Sequence, residues 1–418
     1  MLFRPIHHTF APLADWQQCL LALSFILTPW RLQRGKAIEQ LRSELSTAFN
    51  GDAVLFASGR EALLCLFKAL KLRPGEEVIV QAYTCVAVPN AIHAAGAVPV
   101  YADIDRETLN LNLVTVMEAI TPRTRALLCQ HTFGIPSPVK ELRALCDAKG
   151  IILIEDCAHV LPDATGPMEI GKYGDFLMLS FGRDKAISGV AGGALISRKS
   201  ELHPALREAE ERASSPSLYA TLRWMLYPLA YAKARPFIGL GIGKAYLKVL
   251  RALHLLPAIL DAEEKRGHMS PVLARIPNAC AALALAQWRR RKSINDHRRS
   301  LTAFYADAAR KRGWETVPAA QGNLPLQKFP IFVRGAAQIR ASLKRQNIHL
   351  DDGWTSCVIC PASVDPSVAG YQTGADPSAE QVSREILSLP THPGMTMAQA
   401  QRLVATIDVC MRELRSKN

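Results

Sequence analysis

Short apolar runs rich in β-branched residues alternate with helical patterns between residues 52 and 198. Within residues 60–70, for example, Leu63, Leu66 and Leu70 recur at the spacing of one helix face. Strands that alternate with helices predict an α/β fold with a mostly parallel sheet covered on both faces. The predicted strands of this region are 54–57, 77–81, 98–101, 126–131, 151–155, 176–181 and 194–197.

The rest of the chain predicts three regions around this large domain, which covers residues 51–200. Residues 1–50 are an N-terminal arm with helices, and residues 201–274 are a basic, apolar helical insertion. Residues 275–418 are a long helix followed by a smaller C-terminal α/β domain. The elements predicted there are helices at 280–305, 336–346 and 398–415 and strands at 328–333 and 348–351.

Composition narrows the class of protein. Of 418 residues, 49% are hydrophobic and 21% are charged, which excludes a disordered chain, a collagen and a coiled-coil rod. The net charge of +13 favours an anionic partner such as a nucleic acid, an acidic lipid surface or a phosphorylated small molecule. The ten cysteines are scattered, which is typical of a cytosolic protein. The single CxxC pair, Cys357 and Cys360, is weak support for zinc, so we expect no metal site.

Chemistry-bearing residues follow several predicted strands, where open α/β sheets bind their ligands. Asp156 follows a buried strand, Ser180 ends another, and Ser58 separates a strand from a helix. Lys185 lies five residues after Ser180, and a lysine near a buried acid suits Schiff-base chemistry. The acid would pair with a protonated pyridine nitrogen, and the start of the helix after Ser58 would hold a phosphate.

A set of motifs in this order resembles the DegT/StrS family of sugar aminotransferases, which depend on pyridoxal phosphate and have the fold of type I aminotransferases. The likeness runs from about residue 41 to residue 410, less residues 200–267. The segments that carry it are Ala57-Ser-Gly-Arg-Glu-Ala-Leu63, Pro74-Gly-Glu-Glu-Val-Ile-Val80, Gly96-Ala-Val-Pro-Val-Tyr-Ala-Asp-Ile-Asp105, Glu155-Asp-Cys-Ala-His159, Ser180-Phe through Lys185, Gly192-Gly193 and Leu389-Pro-Thr-His-Pro393.

The resemblance implies a role for each matched residue. Lys185 would bind the cofactor covalently and shuttle the proton between cofactor and substrate. Asp156 would bond the pyridinium nitrogen, and His159 would lie near the ring hydroxyl. The phosphate-binding residues would be Ser58, Gly59, Arg60 and Ser180, with Arg60 standing where the family usually has threonine.

Two further positions depart from the family pattern. Cys85 stands where an aromatic residue often stacks on the cofactor ring, and Leu273 stands where an asparagine reaches the neighbouring subunit's phosphate. A homodimer is still the expected assembly. These departures leave open a second interpretation, a non-catalytic or regulatory, membrane-associated member of the family with a degenerate site. His131 and His392 are interpreted as structural rather than functional residues.

Residues 214–260 resemble the family least. They hold six basic residues and no acidic one, among interleaved aromatic and aliphatic residues. This composition is typical of an element that lies on an anionic membrane, and it equally fits a helical hairpin that packs on a dimer partner. Pro228 and Pro236 are expected to break helices there, so a membrane-spanning helix is not predicted.

Taken together, the residues and the resemblance predict a pyridoxal 5'-phosphate-dependent aminotransferase. It would move an amino group from an amino acid, glutamate as in the family, to a keto-sugar carried on a nucleotide. Polysaccharide or glycoconjugate biosynthesis is the expected setting. The expected location is the cytoplasm, with peripheral contact at the inner face of the membrane, and no nucleic acid is expected as a partner.

Overall fold

A computed structural model describes residues 4–162, 170–258 and 260–415. Its strands are β1 (Ile6–His7), β2 (Asp52–Phe56), β3 (Glu77–Gln81), β4 (Thr84–Cys85), β5 (Val98–Ala102), β6 (Thr124–Gln130), β7 (Ile152–Asp156), β8 (Phe176–Ser180), β9 (Gly193–Ser197), β10 (Lys328–Phe332), β11 (Ile348–His349), β12 (Ile359–Cys360) and β13 (Ile386–Pro390). Its α-helices are α1 (Trp16–Leu27), α2 (Lys36–Phe49), α3 (Gly59–Ala69), α4 (Ala87–Ala94), α5 (Leu113–Ala119), α6 (Val139–Lys149), α7 (His203–Arg212), α8 (Leu218–Ala234), α9 (Ile242–Ala252), α10 (Ala262–Lys265), α11 (Asn278–Arg289), α12 (Arg291–Arg312), α13 (Ala336–Arg345), α14 (Pro377–Glu385) and α15 (Met397–Arg415).

Seven strands form the central sheet in the order β2-β9-β8-β7-β6-β3-β5. Strands β8, β7, β6, β3 and β5 are parallel, and β9 runs antiparallel to both β8 and β2. The apolar, β-branched residues of these strands are buried on both faces, as a helix-covered sheet requires. The prediction of a mostly parallel α/β sheet is therefore confirmed.

Local signals in the sequence explain where the helices of the sheet region begin and end. Ser58 caps the first turn of α3, because its Oγ accepts a hydrogen bond from the Glu61 N–H. Gly150 ends α6 in the left-handed conformation at φ 66°, which glycine adopts without steric cost. Helix α3 lies within one residue of the helical pattern seen in the sequence at residues 60–70.

The structure corrects two helix predictions. The single helix expected over residues 280–305 is in fact two helices, because the chain leaves helical geometry at Arg290, whose guanidinium ion-pairs with Asp15 at the start of α1. Pro228 does not break a helix but lies inside α8. Burial of flanking residues such as Met225 and Tyr231 outweighs the one hydrogen bond that proline removes. None of the described helices is long and apolar enough to cross a membrane.

The C-terminal region contains a strand that the sequence did not predict. Residues of β13 pair antiparallel with β10, from Phe332 opposite Ile386 to Lys328 opposite Pro390. The predicted strand at 348–351 shortens to β11, which pairs with β1 of the N-terminal arm. The arm therefore reaches across to the C-terminal part of the chain, beside the carboxyl ends of the central strands.

Candidate active site

Three central strands bring the predicted site residues to one edge of the sheet. Strand β2 leads through Ser58 into α3, β7 ends at Asp156, and β8 ends at Ser180. After β8 the chain turns, and the Lys185 N–H donates to the Gly182 carbonyl over 3.3 Å. The hydroxyl, carboxylate and amine thus sit where such sheets bind ligands.

Glycine allows a helix N-terminus and a hydroxyl to come side by side. A Cβ atom added to Gly59 would lie 3.1 Å from Ser180 Cβ and 3.3 Å from Ser180 Oγ. A Cβ atom added to Gly193 would lie 2.4 Å from the Gly59 nitrogen, closer than any real side chain allows. The resulting cradle offers the N–H groups and dipole of α3 together with the Ser180 hydroxyl, a combination suited to a phosphate.

Asp156, His159 and Lys185 share one electrostatic environment. Asp156 Oδ1 accepts a 2.8 Å hydrogen bond from the Ala158 N–H, while no described residue bonds Oδ2. Burial raises the pKa of Asp156, and the Ala158 N–H and the Lys185 charge oppose that rise. Burial holds the pKa of His159 well below its ordinary value, and the Lys185 charge lowers that pKa further. A lysine that acts on both groups belongs to the same site.

His159 lies among aromatic rings that the sequence did not point to. Its ring centroid is 4.6 Å from that of Trp354 and 5.8 Å from that of Phe133. Trp354 is held in place because its carbonyl accepts the Tyr83 hydroxyl over 2.7 Å and its N–H donates to Asp352 over 2.9 Å. Trp354 lies between β11 and β12, in a segment without a motif, so sequence reasoning missed it.

Arg60 and Glu61 occupy the first turn of α3 in different ways. The Arg60 guanidinium forms an ion pair with Glu264 of α10, so it is the backbone N–H of Arg60 that belongs to the cradle. Glu61 accepts the Ser58 hydroxyl at 2.8 Å and the Ala274 N–H at 3.1 Å. Burial raises the pKa of Glu61 to about 7. A carboxyl that is protonated near neutral pH lessens repulsion of an anion at this helix end.

The contacts of His131 are those of a structural residue. It is fully buried, with Nε2 3.2 Å from a Glu155 oxygen and Nδ1 accepting the Ser137 N–H over 3.2 Å. Glu155, His131 and Cys157 place three potential metal ligands within 4.8 Å of one another. The Glu155 oxygens, however, already accept hydrogen bonds from the backbone N–H groups of Gly171, Tyr173 and Gly174. This cluster therefore anchors a loop.

The two residues that depart from the family pattern are Cys85 and Leu273, and the structure shows what each of them contacts. Cys85 lies in β4 opposite Cys360 of β12, and the Sγ atoms of Cys360 and Cys357 are 3.6 Å apart. The Leu273 carbonyl accepts the Ser214 N–H over 2.9 Å, which joins the segment after α7 to the C-terminal end of the helical insertion. Neither departure changes the residues that form the cradle, the Asp156 carboxylate or the Lys185 amine.

These groups fit pyridoxal phosphate. The cradle at Gly59 and Ser180 would hold the phosphate, the Oδ2 oxygen of Asp156 is available for a ring N–H, and Lys185 supplies the amine. Ser58 takes part as the helix cap rather than through a hydroxyl free to bind, because its Oγ bonds Glu61.

Comparison with known proteins decides the family. The sequence pattern of the DegT/DnrJ/EryC1/StrS aminotransferase family matches residues 21–220 and 248–408. The chain belongs to this family. The resemblance inferred from the motifs is confirmed, but its predicted extent was too narrow. The match begins at residue 21 rather than 41, and it includes residues 200–220 and 248–267, so only residues 221–247 of the helical insertion are unmatched.

Relatives and solved structures agree with this assignment. The spore coat polysaccharide biosynthesis protein SpsC of Bacillus subtilis is 34% identical over 378 residues, 87% of each chain. GDP-perosamine synthase of Vibrio cholerae is 35% identical over 169 residues, 40% of this chain and 46% of that enzyme. The chain spans about half the length of this enzyme and of three other curated relatives that it matches.

The fold is shared with solved aminotransferases at low sequence identity. Helicobacter pylori PseC, an aminotransferase involved in the biosynthesis of pseudoaminic acid, superposes with a TM-score of 0.74 at 18% identity, covering 98% of this chain and 100% of that one. NtdA of Bacillus subtilis, solved with bound cofactor PMP, gives 0.71 at 22% identity, covering 95% and 82%. The predicted fold class, a type I aminotransferase fold, is confirmed.

Proposed function

We propose that this protein is a pyridoxal-phosphate-dependent aminotransferase that moves an amino group from glutamate to a keto-sugar carried on a nucleotide. The observation that carries the proposal is that the Lys185 charge acts on both Asp156 and His159, beside the cradle formed by Gly59 and Ser180. The names of relatives, including a UDP-N-acetyl-3-dehydro-glucosamine 3-aminotransferase and a GDP-perosamine synthase, support a nucleotide-linked sugar. Polysaccharide or glycoconjugate biosynthesis is the proposed setting.

Each site residue has a task that follows from its surroundings. When bound, the cofactor supplies an electron sink for the substrate carbon. Asp156 would keep the ring nitrogen protonated through its Oδ2 oxygen. In each half-reaction the partly exposed Lys185 would carry the proton at Nζ between the substrate carbon and the cofactor carbon. His159, held neutral by burial, orients the ring hydroxyl. The cradle fixes the phosphate and so fixes the ring relative to Lys185.

Absorbance of the purified protein tests the proposal. Loaded with pyridoxal phosphate, the protein should show a visible band that shifts when glutamate is added. Lys185→Ala should abolish this band, whereas Lys149→Ala, an exposed lysine at the end of α6, should keep it. A screen of nucleotide-linked and lipid-linked keto-sugars would then identify the acceptor. A colourless protein that refuses the cofactor would support the alternative, a degenerate regulatory member.

The proposed assembly is a homodimer, and the proposed location is the cytoplasm with contact at the inner face of the membrane through residues 214–260. Side chains that stay exposed around α9 support the membrane contact. The apolar ones are Leu240, Ile242, Val249 and Leu253, and the basic ones are Lys244, Lys248 and Arg251. Cations suit anionic headgroups, and the apolar side chains suit the boundary below them.

Flotation with vesicles tests the membrane contact. The full chain should float with phosphatidylglycerol vesicles and not with phosphatidylcholine vesicles, and K244E/K248E should abolish flotation. The control K140E/K149E changes the charge of exposed lysines on α6 by the same amount and should leave flotation unchanged. If wild type stays soluble and K244E/K248E instead dissociates a dimer in light scattering, this surface is a subunit interface.

A further inference from the structure

The Cys-x-x-Cys pair is a feature of the sequence to which the proposed function gives no role. Cys360 is the last residue of β12, and Cys357 precedes it in the segment that joins β11 to β12. The Sγ atoms of the two residues are 3.6 Å apart, so a closure of about 1.5 Å would bring them to disulfide bonding distance. The fold therefore holds two thiols in position to react with each other.

Exposure divides the pair into an accessible thiol and an interior one. Seven of the ten cysteines are buried, Cys360 among them, whereas Cys357 is one of three that are partly exposed. Burial raises the pKa of Cys360 well above its ordinary value, and the neighbouring Cys357 and Cys85 thiols add to that rise. A reagent from solution therefore meets Cys357 first. Cys360 can still react with the Cys357 sulfur, because a positioned group acts at a very high effective concentration.

We propose that Cys357 and Cys360 are a site of reversible thiol–disulfide exchange with low-molecular-weight disulfides such as glutathione disulfide. The Cys357 sulfur loses its proton and attacks one sulfur of the small disulfide, whose S–S bond breaks and releases a thiol that takes up a proton. The Cys360 sulfur then loses its proton, attacks the Cys357 sulfur and displaces the second small thiol. The protein gives up two electrons and two protons, and the small disulfide becomes two thiols. Disulfides in cytosolic proteins are mostly of this transient, redox-sensing kind.

Trp354 connects the pair to the wall of the candidate active site. The Cys357 thiol donates to the Gly353 carbonyl over 3.2 Å, directly before Trp354 in the chain. The Trp354 ring packs against His159, with the ring centroids 4.6 Å apart. In the disulfide, Cys357 has no proton left for the Gly353 carbonyl, and its sulfur moves towards Cys360. Oxidation therefore shifts the Trp354 ring that supports His159.

Mass spectrometry of the full chain treated with glutathione disulfide tests the site. Trypsin should release both thiols on one peptide, residues 346–384, which contains no other cysteine. In wild type this peptide should become lighter by two hydrogen atoms, and dithiothreitol should restore its mass. Cys360→Ser should instead keep glutathione on Cys357. The control Cys19→Ser, which changes a partly exposed cysteine of α1, should leave the wild-type result unchanged. A wild-type peptide that stays unmodified, keeps glutathione or is joined to Cys85 would overturn the proposal.

The effect on the active site is measured as the rate at which glutamate shifts the absorbance band of the cofactor-loaded enzyme, and this part rests on the proposed function. Oxidised wild type should react about tenfold more slowly than reduced wild type, because a displaced group near the reacting atoms costs rate. Cys357→Ser, which keeps a donor for the Gly353 carbonyl, should react equally fast before and after the treatment.

The two proposals fail in different ways. An oxidised wild type that reacts as fast as the reduced one would overturn the link between the thiol pair and the active site. A protein whose band never shifts, although its peptide still loses two hydrogen atoms, would overturn the proposed function and leave the thiol pair in place.

Discussion

The ion pair between Lys328 and Asp352 provides a sharp test of how burial governs this site. Its nitrogen and oxygen are 3.0 Å apart, and the two side chains are 8% and 0% exposed. Asp352 also accepts the Ser388 hydroxyl over 2.7 Å and the Trp354 N–H over 2.9 Å. Asp352→Asn keeps an oxygen that can accept the Trp354 N–H, but it removes the carboxylate and leaves the Lys328 charge buried alone, at a cost of about 3 to 5 kcal/mol of unfolding free energy.

The neighbouring residue supplies a matched control. Asp351 pairs with Lys344 at the same distance of 3.0 Å, but both side chains are 55% exposed. Asp351→Asn should therefore cost only about 0 to 1 kcal/mol. The double variant K328M/D352N removes both buried charges and should recover much of the stability that Asp352→Asn loses.

Urea unfolding of the full chain measures these differences, with tryptophan fluorescence and circular dichroism as paired probes. Although burial raises it, the Lys328 and His8 charges hold the pKa of Asp352 well below its ordinary value. A lowered folded-state pKa means that the stabilisation is complete above the unfolded value of about 3.9 and declines as pH falls below it. Equal losses of unfolding free energy in Asp352→Asn and Asp351→Asn at neutral pH would refute the reasoning.

Two further predictions concern the cradle. Burial raises the folded-state pKa of Glu61 to about 7, so the folded state loses stability as pH rises above the pKa that Glu61 has in the unfolded chain. Glu61→Gln removes this ionisation. It should stabilise the protein by about 2 kcal/mol at pH 8 and by little at pH 4, as measured in urea titrations. Gly193→Ala should cost about 1 to 3 kcal/mol and release the cofactor on dialysis, because its Cβ would lie 2.4 Å from the Gly59 nitrogen. The control Gly322→Ala, whose Cβ would lie 3.5 Å from its nearest neighbour, should retain the cofactor.

The sheet and the positions of the site residues could be predicted because their signals are local. A buried strand such as β7 is a continuous apolar run, and Asp156 marks its end. Ser58 and Gly150 mark a helix start and a helix end through capping chemistry that depends on neighbouring residues alone. Motif order then assigned Lys185 to the same edge of the sheet.

The features that sequence reasoning missed depend on contacts between distant segments. Strand β13 exists because it pairs with β10, and the kink at Arg290 coincides with an ion pair to Asp15. Trp354 reaches His159 only once the C-terminal region packs onto the sheet. Periodicity and spacing carry none of this information.

The central claim is that Lys185, and not another lysine, reacts with the cofactor. Reduction of the loaded protein with borohydride, followed by peptide mass spectrometry, would fix the cofactor to the lysine that holds it. The account predicts the label on the peptide that contains Lys185 and nowhere else. A label on another lysine such as Lys328, or a protein that takes up no label at all, would contradict it.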